Sequence, residues 1–166
     1  VGRVWFGRSS SWPCFFLDQI EAFAVMPFEK IFKQIDEVIK THRDIRRDLI
    51  CPSVFQSYSP AAVSEAFCTV KLDFGRRSGK TSYINSRATS KDLIIVDKVR
   101  SVGIYSSSNA DVFSIRQVLY SVIYGHEEYE NIYIENPSSV FLKGYEEAMY
   151  RLFINPNFNH TFIFLG

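Results

Sequence analysis

Apolar positions recur at helical spacing from Pro27 to Ile50: Phe28, Ile31, Phe32, Ile35, Val38 and Ile39, then Ile45 and Leu49. Charged residues, including Arg43, Arg46 and Arg47, fill the other positions. This pattern predicts an amphipathic helix, or a helix pair, packed on something else. The arginines at its end read as a solvated face, and His42 among them as a solvent-facing residue. Cys51-Pro52-Ser53 interrupts the pattern, because proline disfavours helix in the residue before it. Ser59 then offers a cap, Pro60 a first-turn residue and Ala61 to Ala66 the body of a short helix.

Beyond this point strands and helices alternate. Phe67 to Phe74 (FCTVKLDF) is rich in β-branched and aromatic residues and reads as a strand. A helix follows from Ser78 to about Ala88, then short strands at Leu93–Val96 and Val102–Tyr105. A turn at Ser106–Asn109 leads into helical periodicity from Val112 to Tyr124. Ile132–Ile134 reads as a strand, Tyr145–Phe153 as a helix and Thr161–Leu165 as a last strand. Apolar strands alternating with amphipathic helices predict an α/β fold, a mainly parallel sheet covered by helices on both faces. There is no internal repeat. The expected division is an irregular extension over residues 1–25, a helical segment over 26–64 and an α/β core over 65–166. Met26 reads as a natural start. The apolar run that stops one residue before Gly166 reads as a core cut from something longer.

Composition removes several function classes. Hydrophobic residues make up 46% and charged residues 22%, which excludes disorder and low-complexity readings. Lys plus Arg is 19 against 18 acids, net +1, so any contact with DNA is expected to be a local patch rather than a basic coat. The three cysteines, Cys14, Cys51 and Cys68, form no CxxC pair, which suggests a reducing compartment. Cys68 is expected to pack as a small hydrophobe. His42, His126 and His160 show no metal-ligand spacing. His126 lies in the acidic run Tyr124–Glu130, read as a solvated loop; His160 reads as a strand-edge residue. Phe141, Tyr145, Tyr150 and Phe153 read as core. No run reaches the roughly 18 apolar residues of a membrane span, and no cleavage site marks a signal peptide. The expectation is a soluble, intracellular protein without a membrane partner.

The chemistry-bearing segment is Gly75-Arg76-Arg77-Ser78-Gly79-Lys80-Thr81, between a predicted strand and a predicted helix. That is the context of a phosphate-binding loop: small residues let successive N–H groups turn inward, and the helix presents its positive end. Lys80 would reach the β- and γ-phosphates, and the Thr81 hydroxyl would bind Mg²⁺, which prefers hard oxygen ligands. The spacing departs from GxxxxGK[ST]: Phe74 stands five positions before Gly79, and Gly75 is one residue late. Such a loop needs a second apolar strand ending in an acid. Asn131-Ile132-Tyr133-Ile134-Glu135 fits, with Glu135 as that acid.

The GRRSGKT loop followed by SYIN resembles the divergent Walker A motif of large terminase subunits, the ATPase motors that package viral DNA. The stretch Val102–Tyr120 and the closing TFIFLG are similar to that family's later elements, so the resemblance covers roughly Phe67 to Gly166. It implies a P-loop ATPase core over 65–166 that binds ATP and Mg²⁺ and acts on double-stranded DNA. It also implies a homo-oligomeric ring, a portal or small terminase partner, and work in the cytoplasm of an infected host cell. Carried onto this chain, residues Gly75, Arg76, Arg77, Ser78 and Gly79 line the loop, and Lys80 and Thr81 hold phosphate and Mg²⁺. Arg76, or its neighbour Arg77, contacts the γ-phosphate, and Glu135 is the Walker B acid. Terminases usually continue from a metal-binding Asp to a Glu that orients the attacking water; here Asn136 follows Glu135. Either Glu135 is itself the base, or Glu127 or Glu128 substitutes. The alternatives are another P-loop ATPase, such as a helicase-like one, and a nucleotide-binding module with weak or no hydrolysis. The family's nuclease domain is expected to lie outside this segment.

Overall fold

A computed structural model describes residues 15–49, 58–73, 75, 79–120, 129–141, 144–153 and 160–166, with side chains of the first helix from Phe28 onward. Helix α1 (Phe15–Leu49) is followed by α2 (Pro60–Phe67), β1 (Thr69–Leu72) and α3 (Lys80–Arg87). Next come β2 (Asp92–Val96), a 3₁₀ helix (Val99–Tyr105), β3 (Asp111–Ser114) and α4 (Ile115–Tyr120). The chain closes with β4 (Asn131–Glu135), α5 (Pro137–Val140), α6 (Tyr145–Leu152) and β5 (Thr161–Leu165). Among the described residues no helix is long and apolar enough to cross a membrane.

The five strands form one sheet in the order β1-β5-β4-β2-β3, with every neighbouring pair parallel. Position in the sheet explains the strand sequences. The inner strands Leu93–Val96, Ile132–Ile134 and Phe162–Leu165 are continuous apolar runs, since helices cover both faces. The edge strand β1 exposes Lys71 instead. Alternate residues feed two cores. Leu93, Ile95, Ile132, Ile134, Phe162 and Phe164 meet Val63 of α2, Val118 of α4 and Met149, Tyr150 and Phe153 beyond β4. Ile94, Val96, Tyr133, Ile163 and Leu165 meet Phe32, Ile35 and Ile39 of α1 and Tyr83 and Ile84 of α3. The α/β class and the two-sided cover agree with the sequence pattern, as do the Ser59 cap on α2, the buried Cys68 thiol and the core role of Tyr150 and Phe153.

Several local expectations are corrected. The first helix is a single continuous one that runs through Met26 from Phe15, whereas periodicity alone begins it at Pro27. The strand at Val102–Tyr105 is instead the end of the 3₁₀ helix, closed by bonds such as Ser106 N–H to Gly103 O at 3.3 Å. The neighbouring strand lies at Asp111–Ser114, overlapping the start of the stretch read as helix from Val112. A capping box cuts the helix there: the Ser114 N–H donates to Gln117 Oε1 at 2.9 Å, and the Gln117 N–H donates to Ser114 Oγ at 3.3 Å. Helix α3 starts at Lys80 rather than Ser78, because Gly79 at its N-terminus takes φ +78°.

The arginines of α1 are not simply solvated. Arg43 donates to Asn131 Oδ1 and, at 3.3 Å, to Thr161 Oγ1; Arg46 donates to the His160 carbonyl and to Thr161 Oγ1. They bolt α1 to the first residues of β4 and β5. His160 precedes β5, which lies between β1 and β4, so the ring is buried rather than at an edge. Burial, helped by the Arg46 charge, lowers its pKa to about 4. His42 is half-buried with Nδ1 out of contact with water, and burial and then Arg46 and Arg43 lower its pKa. Asp92, 1% exposed, completes this end by accepting from Thr89 N–H and Oγ1 and from both Asn131 nitrogens.

Candidate functional site

Parallel strands gather their C-terminal ends along one rim, and the residues just beyond them form the site. After β1 the chain turns at Asp73, whose Oδ1 accepts from the Gly75 N–H at 3.0 Å. Gly75 and Gly79 both adopt left-handed backbone, at φ +70° and +78°, which glycine allows without strain. Arg76, Arg77 and Ser78, together with Phe74, lie outside the described residues, and with them the γ-phosphate role expected of Arg76 or Arg77.

Lys80, the first residue of α3, is 8% exposed. Its ammonium folds back over the turn and donates to the Gly75 carbonyl at 2.7 Å and to the Gly166 carbonyl at 2.9 Å. The cation is thus held between the start of the turn and the residue that follows β5. Thr81 points the other way along the rim, and its hydroxyl donates to Glu135 Oε1 at 2.7 Å. Glu135 ends β4, and its second oxygen accepts from the Tyr105 hydroxyl. Burial first, and then this bond to Glu135, raises the Tyr105 pKa. Thr81 and Glu135, 54 residues apart, therefore meet directly, while Lys80 beside Thr81 turns toward the residues that follow β1 and β5.

Asn136 has the left-handed backbone φ +54°, its N–H donates to the Leu165 carbonyl at 2.9 Å, and its carbonyl accepts the first bonds of α5. Glu127, Glu128 and His126 lie outside the described residues. Among the described residues no three His, Cys, Asp or Glu side chains converge as metal ligands. Thr81 and Glu135 together offer two hard oxygens, the number Mg²⁺ takes from protein when phosphate and water complete its shell.

Sequence reasoning missed the packing of α1 on this site. Phe28 lies against Gly79 so closely that a Cβ built there would stand 2.8 Å from the ring. One turn on, Phe32 meets Tyr83 edge-on at 5.2 Å, and one turn further Asp36 accepts from the Tyr83 hydroxyl at 2.8 Å and from Arg87 Nε at 3.1 Å. Residues 28, 32 and 36 thus match 79, 83 and 87, and α1 runs parallel to α3 in step. Asp97, the residue after β2, and Tyr105 also border the rim beside Glu135.

No protein-family model, curated protein or solved structure matches this chain.

Proposed function

We propose that the chain is a P-loop ATPase core that binds ATP at the β1–α3 turn, of the kind that drives DNA packaging in large terminase subunits. The observation that carries the reading is the joint placement of Lys80, Thr81 and Glu135: a buried ammonium over a glycine-flanked turn, and a helix-borne hydroxyl on the acid of a second strand. An ammonium that spans two backbone carbonyls gives them up readily to a phosphate, whose charge strengthens each bond. The N–H groups opening α3 add partial positive charge at the same point.

Thr81 and Glu135 would hold Mg²⁺, which when bound neutralises the developing charge on the phosphates. The residues themselves do the rest. Lys80 orients the terminal phosphate, Gly79 supplies the left-handed bend that starts α3 beneath it, and Tyr105 fixes the rotamer of Glu135. The sheet order is in keeping with this arrangement, since β5 separates β1 from β4 and is followed by Gly166, within reach of Lys80. Double-stranded DNA, a ring of copies, a portal or small terminase partner and the cytoplasm of an infected cell belong to the proposal through the resemblance of GRRSGKT.

The test is phosphate release from Mg-ATP with and without duplex DNA. DNA-stimulated release that is lost in Lys80→Ala supports the motor. Release indifferent to DNA points to another P-loop ATPase. Asn136, an amide where a carboxylate is usual, favours a second reading, a nucleotide-binding module without turnover; binding with no release would establish that one. Absence of nucleotide binding overturns the proposal.

A further inference from the structure

We propose that Asp97 is the general base that activates the attacking water, an inference that rests on the ATPase reading above. Asn136 cannot accept a proton, and Glu135, which accepts from the Thr81 and Tyr105 hydroxyls, is assigned to Mg²⁺ with Thr81 in the reading above. The remaining described acids that follow strands on this rim are Asp73 and Asp97. Asp73 lies beyond β5 and caps the Gly75 N–H. Asp97 follows β2, the strand paired with β4, where Ile95 stands opposite Ile134. Beyond the ladder the two chains continue to Asp97 and Asn136, which border one cavity.

A cavity of about 120 Å³ joins the two strand ends, bordered by Asp97, Ser101, Tyr105, Glu135, Asn136 and Ser139. It is roomy and polar enough for ordered water. It starts at the acid that meets Thr81 and reaches Asp97. The Ser101 hydroxyl donates to Asp97 Oδ1 at 2.9 Å, and the Lys98 ammonium lies 3.7 Å from Oδ2. These contacts orient the carboxylate, and its several lone pairs leave acceptor capacity for a water.

The step balances without a further reagent. The water oxygen bonds to the γ-phosphorus as its proton passes to the Asp97 carboxylate. The bond from γ-phosphorus to the β–γ bridging oxygen breaks, and ADP departs with that electron pair. The transferred phosphate keeps the remaining water hydrogen as a hydroxyl, and Asp97 later returns its proton to solvent.

The experiment uses the full chain, with binding of a fluorescent ATP analogue and phosphate release measured in parallel. Asp97→Asn preserves the acceptor for Ser101 while removing the base. Its expected behaviour is analogue affinity within twofold of the parent and release slower by tenfold or more, toward the roughly 100- to 10,000-fold that a general base contributes. Ser101→Ala, which removes only the orienting bond, is expected to stay within fivefold of the parent rate. Adding a carboxylate in Asp97→Asn/Asn136→Glu is expected to recover release at least fivefold. Release by Asp97→Asn within threefold of the parent overturns the assignment, as does a Ser101→Ala loss equal to that of Asp97→Asn. A parent that binds the analogue through Lys80 but never releases phosphate also overturns it, while leaving the nucleotide site intact. Failure of the parent to bind, or binding indifferent to Lys80→Ala, removes the ATPase reading itself.

Discussion

Replacing Lys80 with methionine separates a ligand-binding cation from a structural one. The side chain keeps its reach to Cε, with sulfur in place of one methylene, and loses the ammonium. In the folded chain that ammonium makes two charge-assisted bonds, to the Gly75 and Gly166 carbonyls, at 2.7 and 2.9 Å. Bonds of this kind contribute about 1.5–3 kcal/mol each. Against them stands the penalty of holding a charge at 8% exposure, several kcal/mol for a buried ion. The opposing effects are of similar size, so stability is expected to change by about 2 kcal/mol or less. Affinity for ATP has no such offset, since the variant presents no donor to the phosphates. Loss of one charge-assisted contact of about 1.5–3 kcal/mol weakens binding by roughly 10- to 100-fold. Urea denaturation and titration of a fluorescent ATP analogue measure the two quantities independently. An unchanged affinity in a folded variant would refute the phosphate role. A fall in stability beyond about 4 kcal/mol, with the analogue bound as before, would recast Lys80 as a bolt between β1 and β5.

Gly79→Ala should cost about 1–2 kcal/mol from its φ of +78°, plus displacement of the Phe28 ring 2.8 Å from the new methyl; Phe28→Ala should recover the second part alone in a denaturation cycle. Arg43→Met with Arg46→Met should lower stability by about 2–4 kcal/mol and leave analogue affinity unchanged, because these bonds lie at the strand starts, away from the rim. For His160 the folded pKa of about 4 lies below the ordinary 6.5, so the unfolded chain binds more protons between those values. Its contribution is complete above pH 6.5 and lost as pH falls toward 4, about 3 kcal/mol in all. Denaturation at pH 7 and pH 4.5 should show this slope, and His160→Gln should flatten it.

Much of the architecture was legible because buried parallel strands are continuous apolar runs, and LIIV, IYI and TFIFL announce themselves. DVFS did not, since it is a short edge strand joined to a helix whose spacing spreads backward over it. The Ser114–Gln117 capping signature was present in the sequence and marks the true helix start. The candidate site was legible in Gly75, Gly79, Lys80, Thr81 and Glu135. Asp97 carries the same signature as Glu135, an apolar run closed by an acid, but only the pairing of β2 with β4 makes the two neighbours. Arg43 and Arg46 were opaque for a different reason. Their partners, Asn131, His160 and Thr161, lie about 90 to 120 residues away, and a helix face with such distant partners looks like any hydrated one.

The matched stepping of α1 and α3 makes the pair a two-rod strut. Its upper end touches the turn through Phe28, and its lower end is pinned by Arg43, roughly 20 Å away at 1.5 Å per residue. Three contacts spaced one turn apart resist slippage of one rod along the other. The strand starts held by Arg43 are thereby tied, through one continuous helix, to the turn at Gly79.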